Sequence, residues 1–564
     1  MTRLRTSFFL AGAICALVAL QPSVAVSNTE QRRPNILLIV ADDLAYADLG
    51  VHGSSIRTPH IDSLAERGLL LTQFHTAPKC APTRAMLLSG NNNHVAGMAL
   101  QGVSRLAGHA VPGYEASLSD RIAPLPRLLR DAGYRTLMVG KWHLGLTPEK
   151  SPTAAGFQRS FALLDGAGNH WDARGFFEGG SSFWADGQSV EYPAGRYSTE
   201  VYTDKLIEFI GNGDRSRVTT GDESPQKNRG ASRDDGNAAP FFAFAAYTSP
   251  HWPLQVPAGE ADRYAGQYDH GYDVLREENF ANLKAERIID PTSTLPPRNP
   301  AIRLWDELTS DEQRRESRKM ELYAAMVENL DGHVGRLLDH LRDTDQIDNT
   351  LVIFMSDNGA ANEDFYNEGP FVDYLRAQYD NTYEKMGTPE SFVSYDDPWA
   401  EAGSAPFSRM KTYTREGGVI APFIAAGPGV AGEGRLDRSY VTVMDLAPTF
   451  LDLANATYPT TDGVQPLLGE SMVDFLGGAS ASVHDDAYVT TLFHAGRALL
   501  RQGDWKLTTL EPPFDEARFA LYNLAKDPGE TTDLRYTHPE KYAAMLTLWR
   551  EERLRLGIIL PEDL

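Results

Sequence analysis

The sequence predicts an α/β protein: a large mixed, mostly parallel sheet flanked by helices, then a small C-terminal antiparallel sheet with its own packing helix. Three observations carry this. Four near-continuous apolar runs, "NILLIV" (35–40), "TLMVG" (136–140), "PFFAFAAY" (240–247) and "TLVIFMS" (350–356), have the length and texture of strands covered on both faces. Helical segments stand between them. "PLPRLLRDAG" precedes the second run, and "MELYAAMVENLDGHVGRLLDHLRD" precedes the fourth with Leu322, Met326, Leu330, Val334, Leu337 and Leu341 on one apolar face. From about residue 484 the texture changes to short segments, "DAYVTTLF", "RALLRQ", "DWKLTTL" and "FALYNLA". Turn residues break them, and "PEKYAAMLTLWREERLRL" closes the chain as a helix.

Residues 1–25 read as a secretory signal: Arg3 and Arg5, an apolar stretch from Phe8 to Leu20, then Ser23-Val24-Ala25. The stretch falls short of the roughly 20 residues of a spanning helix. A periplasmic or secreted protein with no membrane attachment after cleavage is therefore expected. The main domain is expected over 26–480 and a C-terminal subdomain over 481–564. Residues 211–239 contain almost nothing that could enter a core and read as a disordered surface insertion. The net charge of −23, from 53 basic and 76 acidic side chains, argues against nucleic acid as a partner. An anionic substrate would need local cations working against that field.

Each apolar run stops abruptly at polar residues: Asp42-Asp43, Lys141-Trp142-His143, Thr248-Ser249-Pro250-His251 and Asp357-Asn358. In parallel sheets ligands bind beyond the carboxyl ends of the strands, where these clusters would converge. Asp42, Asp43, Asp357 and Asn358 offer hard oxygen ligands. Their carboxylates would repel one another without a cation, and for an exported protein calcium is expected ahead of magnesium or manganese. Lys141, His143, His251, Arg84 and Lys411 form the opposite set, a cationic rim suited to a tetrahedral oxyanion.

Of the two cysteines, Cys15 leaves with the signal, and Cys80 then has no partner for an internal disulfide. It is an intermolecular bridge, an inert buried residue, or a group kept for its chemistry. In "KCAPTRAMLLSG", Pro82 suits a first helical turn and Gly90 a helix end, which sets Cys80 at a helix N-terminus. There the free N–H groups attract an anion and are expected to lower a thiol's pKa.

These residues resemble the type I sulfatases of the alkaline-phosphatase-like superfamily. Cys80-Ala81-Pro82-Thr83-Arg84 is similar to their C-x-P-x-R signature and "GKWHLG" (140–145) to their second. "PNILLIVADDL", "SPHWPLQVP", "MSDNGA", "RQGDWKL" and "LYNLAKDPGE" extend the likeness over nearly the whole mature chain, nearest to bacterial arylsulfatases. The resemblance implies that a formylglycine-generating enzyme oxidises Cys80 to formylglycine. It also implies that Asp42, Asp43, Asp357 and Asn358 bind one calcium ion with residue 80 close to it. Arg84 and Lys141 would steady the hydrated aldehyde, and Lys411 and His251 would grip sulfate and leaving-group oxygens. The implied reaction is hydrolysis of a small-molecule or glycan sulfate ester through a covalent sulfate hemiacetal. In it His251 protonates the leaving group and His143 deprotonates the second hydroxyl. Three alternatives stand beside the arylsulfatase reading: a carbohydrate sulfatase, a phosphonate or phosphate ester hydrolase of the same superfamily, and a non-catalytic calcium-dependent binder of sulfated glycans.

Overall fold

A computed structural model describes residues 33–101, 111–211 and 239–560. The signal at 1–25 and all of the 211–239 insertion but its two end residues lie outside the described residues. In chain order the strands are β1 (Asn35–Ala41), β2 (Leu69–Leu71), β3 (Phe74–His75), β4 (Arg135–Lys141), β5 (Arg159–Leu163), β6 (Phe183–Ala185), β7 (Gln188–Val190) and β8 (Phe241–Ala246). There follow β9 (Thr350–Ser356), β10 (Phe423–Ala426), β11 (Arg435–Asp437), β12 (Val441–Thr442), β13 (Val489–His494), β14 (Arg497–Gln502), β15 (Trp505–Thr508) and β16 (Ala520–Asn523).

Ten strands build the main sheet in the order β11-β2-β10-β9-β1-β8-β4-β5-β6-β7. The four apolar runs are its parallel centre, β9-β1-β8-β4. Antiparallel pairings lie toward the margins, where β10 joins β9 and β6 joins β5. Alternation along β1 shows why its run is continuously apolar. Leu37 and Ile39 enter the core shared with the helix Pro59–Glu66 and the long helix Ser310–Asp343. Ile36, Leu38 and Val40 enter the opposite core, with the helices Cys80–Ser89, Leu125–Asp131 and Leu446–Ala454. A strand buried on both faces has no polar side to show.

The long helix starts ten residues before the segment read as helical from its apolar stripe, because "TSDE" is a capping box. Thr309 N–H donates to Glu312 Oε2 at 2.7 Å and Glu312 N–H to Thr309 Oγ1 at 3.3 Å. The first turns are too polar for hydrophobic periodicity to detect. As expected, β13-β14-β15-β16 form a separate antiparallel sheet, and the helix Pro539–Arg555 buries Met545 and Trp549 in the core that includes Leu499 and Leu521 of β14 and β16. The described residues form one compact unit.

Gly140, next to the end of β4, has φ +94°, and a Cβ there would collide with the Ala246 carbonyl of the neighbouring strand. Only glycine permits that approach just before Lys141. Gly140→Ala is expected to lower stability by about 2 kcal/mol or more, from left-handed strain alone of order 1–3 kcal/mol plus displacement of β8. Denaturant unfolding of the two proteins side by side checks it, and an unchanged midpoint would contradict the close approach.

Candidate active site

Strand register brings the polar clusters together. Ala41 pairs with Ser356, so Asp42 and Asp357 leave β1 and β9 side by side. Ala246 of β8 pairs with Val40 on one side and Gly140 on the other. His251 and Lys141 are thereby delivered to the same end of the sheet. Backbone bonds lock the exits: Asp42 N–H donates to Ser249 O at 3.1 Å, and Asp357 N–H to Ala41 O at 3.2 Å. Asp43 and His143 both hold left-handed backbone, φ 65° and 59°, strain of the kind that concentrates at functional sites.

The helix Cys80–Ser89 is buried along its whole length and ends at Gly90, φ 64°. Cys80 is its first residue. Pro78 O accepts from Thr412 N–H at 2.8 Å, and Lys411 N–H donates to Ala360 O at 3.0 Å. The Lys411 loop is thus pinned both to the segment before Cys80 and to the one after Asn358.

Every residue singled out in the sequence converges here. Lys141 Nζ donates to both oxygens of Asp42, at 2.6 and 2.9 Å. Arg84 clasps Asp357 Oδ2 through Nε (3.0 Å) and Nη2 (2.8 Å), and its Nη1 donates to Lys141 O at 2.7 Å. Lys411 Nζ donates to Asp43 Oδ2 at 2.7 Å and lies 3.4 Å from His251 Nε2. Cys80 Sγ is 3.7 Å from Asp43 Oδ1, to which Asn358 Nδ2 donates at 2.6 Å. His143 is held over Gly166, where a Cβ would meet its ring within 2.6 Å, and its Nδ1 is buried with no partner among the described residues.

Two features of the donor set fit a hard cation. Asn358 Oδ1 is buried and accepts from nothing among the described residues, although it sits among carboxylates; a bare buried acceptor calls for a partner. Burial pushes the Asp42 carboxyl up to about 7, with Asp357 and Asp43 adding to it against Lys141 and Arg84, so its ionised form lacks sufficient compensation. Asp42, Asp43, Cys80 and His251 offer ligand atoms within 4.8 Å of one another. Asp42, Asp43, Asp357 and Asn358 could hold calcium through oxygen alone, with Cys80 alongside.

The expected low thiol pKa is reversed. Burial, then Asp357, push the Cys80 thiol well above its ordinary value against Lys141 and Lys411. The flanking charges do not serve it: Arg84 is committed to Asp357 and Lys79 to Glu363. As a thiol, Cys80 is a poor nucleophile here. Burial, followed by Lys411 and Lys141, also holds His251 well below the usual histidine range, and burial with Lys141 and Arg84 does the same to His143. Burial opposes the charge of Lys411, yet Asp43 and Glu363 are among the groups that hold it well above normal.

Glu363 was not foreseen. It bridges Lys79 and Lys411, at 3.4 Å from the latter, and the lysines hold its carboxyl low despite burial. In "NGAANEDF" nothing distinguishes it from Asp364. Nor did the sequence place His251 beside Asp43, at 3.3 Å, since that contact joins residues more than 200 positions apart.

Sheet and site together define an alkaline-phosphatase-like fold with a buried cluster of carboxylates and cations at the strand ends. A sequence model of the sulfatase family matches residues 34–456, and the chain belongs to that family. It is 36% identical to an uncharacterized sulfatase of Schizosaccharomyces pombe, over 95% of this chain and 96% of that one. It is 35% identical to an arylsulfatase of Klebsiella aerogenes, over 78% and 91% respectively. The solved structure of Ps i-CgsB in complex with k-i-k-neocarrahexaose shares the fold with a TM-score of 0.63, at 23% identity over 92% of each chain.

If the oxygen cluster is a cation site, calcium added to chelator-treated protein should raise Tm in a concentration-dependent way, by mass action on the native state. Asn358→Ala should blunt that rise. Differential scanning calorimetry reads both, and a Tm indifferent to calcium and chelator would exclude the assignment.

Proposed function

We propose that this protein is an exported arylsulfatase-type hydrolase, releasing inorganic sulfate from monoesters of phenols or alcohols after a formylglycine-generating enzyme has oxidised Cys80. Supporting it is one observation: Asp42, Asp43, Cys80 and His251 meet within 4.8 Å, ringed by Lys141, Lys411 and Arg84, in a chain of the sulfatase family. Oxidised to formylglycine, residue 80 would supply a hydrated aldehyde, with one hydroxyl as the nucleophile and the other as the group whose deprotonation releases sulfate and restores the aldehyde. Asp42, Asp43, Asp357 and Asn358 would hold a calcium ion, which would supply charge neutralisation for an anionic ester.

The chain's own residues do the rest. Arg84 and Lys141, each in a buried ion pair, keep their charge and hold the carboxylates in place. Lys411, buried between Asp43 and Glu363, faces His251 and binds a sulfuryl oxygen as a point charge. His251 Nδ1 lies 2.7 Å from Trp252 O and donates to it, which leaves Nε2 facing Lys411 and Asp43. Nε2 must therefore be protonated before it can give a proton to the leaving oxygen. Burial and then the charges of Lys411 and Lys141 keep the ring neutral; an arriving sulfate anion offsets the lysine part, so substrate binding favours the acid form. His143, half-buried and held neutral, has the protonation state of a base.

Peptide mass spectrometry should show an aldehyde at residue 80 in active enzyme, and Cys80→Ala should fold but release no sulfate. An active sample carrying only thiol would refute the proposal. The role of His251 is tested by leaving-group dependence. His251→Ala should cost roughly 10²–10⁴-fold with phenyl sulfate, the usual range for a general acid, and far less with nitrophenyl sulfate. Parallel plots of log rate against leaving-group pKa would show that His251 gives no proton.

A further inference from the structure

An aromatic cluster adjoins the site and has no part in the chemistry above. The Trp252 ring lies 4.1 Å from His251, centroid to centroid, and meets Phe365 and Phe176 edge-on at 5.1 and 5.6 Å. Phe371 closes the group at 5.1 Å from Phe176 and 5.5 Å from Phe365, and Phe177 extends it at 4.8 Å from Phe176. The four phenylalanines are half-buried and sit outside regular helices and strands, in segments 172–181 and 363–371; Phe176, Phe365 and Phe371 pack on the outside of the main core and keep part of their surface open. At the other end of the second segment, Glu363 reaches Lys411. The cluster is thus continuous with the reacting centre through His251 on one side and Lys411 on the other. Trp252 is only 6% exposed, yet its indole N–H has no partner among the described residues. A buried donor left unpaired is costly unless a ligand accepts from it.

Charge narrows the ligand further. The two segments carry Asp172, Glu178, Glu363, Asp364 and Glu368 but one cation, Arg174, which is paired with Asp172 at 2.8 Å. Lys79, the nearest cation in sequence to Cys80, is paired with Glu363. A second anionic group on a substrate would meet carboxylates with no free cation from these loops.

Resting on the sulfatase reading above, we propose that Phe176, Phe177, Trp252, Phe365 and Phe371 form the leaving-group subsite. It takes an uncharged, flat ring system bearing an oxygen acceptor and disfavours esters with a second sulfate, and hence polysulfated glycans. Aromatic faces supply the area and the indole N–H supplies orientation, the usual division of labour in small-molecule sites.

The test uses 2-naphthyl sulfate, its product 2-naphthol, and the bis-sulfate of 2,6-dihydroxynaphthalene, with the wild type, the double variant Phe365→Ser/Phe371→Ser, and Phe177→Ser, which leaves the Trp252 contacts in place should the double variant misfold. Calorimetric Kd for 2-naphthol and KM for 2-naphthyl sulfate should rise roughly 10- to 100-fold in the double variant, as expected for losing two aromatic contacts, and at least threefold in Phe177→Ser. Inhibition by inorganic sulfate should change less than twofold, which a general loss of structure would not allow. The wild type should turn over the bis-sulfate at least tenfold less efficiently than the monosulfate. Unweakened 2-naphthol binding in both variants, or equal efficiency on the two esters, overturns the subsite. Variant-sensitive 2-naphthol binding without any sulfate release would instead leave the subsite standing and overturn the sulfatase reading.

Discussion

The structure depends on a buried balance of charge at the carboxyl ends of β9, β1, β8 and β4. Asp42, Asp43 and Asp357 face Lys141, Lys411 and Arg84, three against three, and each is essentially inaccessible to solvent. Removing any one leaves a bare charge in a low dielectric, the situation in which a broken buried pair costs several kcal/mol. The arrangement is neutral only as a whole. A divalent cation among the carboxylates would leave the centre with a net positive charge, which an anionic ester offsets. A molecule with a net charge of −23 can therefore still attract a sulfate ester locally.

The small C-terminal sheet has a direct part in this balance. Lys506 of β15 pairs with Glu416 at 2.6 Å and Glu530 at 3.0 Å, and His75 pairs with Glu416 at 2.8 Å. Glu530 Oε2 accepts from Ser408 Oγ at 3.1 Å and from Glu416 N–H at 2.7 Å. Ser408 and Glu416 are the two ends of the loop that carries Lys411. The loop is held by ionic contacts outside the main sheet, and its lysine is aimed into the site from there. Buried pairs of this kind add little net stability but select one geometry over others, and here the geometry selected is that of Lys411. The charge of Glu416 is kept against burial by Lys506 first and by the hydrogen bond with His75.

The strand ends hold their residues in conformations that a free chain would avoid. Asp43 and His143 have positive φ, and Gly140 must lack a Cβ. These are also the points where β1 and β4 turn from ladder to site. Main-chain bonds at or just before each strained residue, such as Asp42 N–H to Ser249 O and His143 N–H to Leu164 O at 3.2 Å, hold it there. Rigid scaffolding of this kind keeps reacting groups in register without reorganisation at the moment of reaction.

Local patterning determined a large share of this protein. Continuous apolar runs are strands buried on both faces, so the four central strands and their polar ends could be read directly, and those ends hold the residues of the site. Pro82 and Gly90 bounded the helix behind Cys80, and alternating segments broken by turns marked the last sheet. Only the tertiary structure decided the rest. The thiol's pKa depends on burial and on Asp357, which outweigh the helix terminus that the sequence makes visible. Glu363 is an ordinary acid until folding sets it between Lys79 and Lys411, and the phenylalanines of 172–181 and 363–371 look like loop residues until they meet at Trp252. The physical reason is the range of the interactions. Backbone hydrogen bonding and side-chain periodicity act over a few residues and leave their mark in composition. Electrostatic pairing and ring packing act through space, between side chains hundreds of residues apart, and leave no local mark.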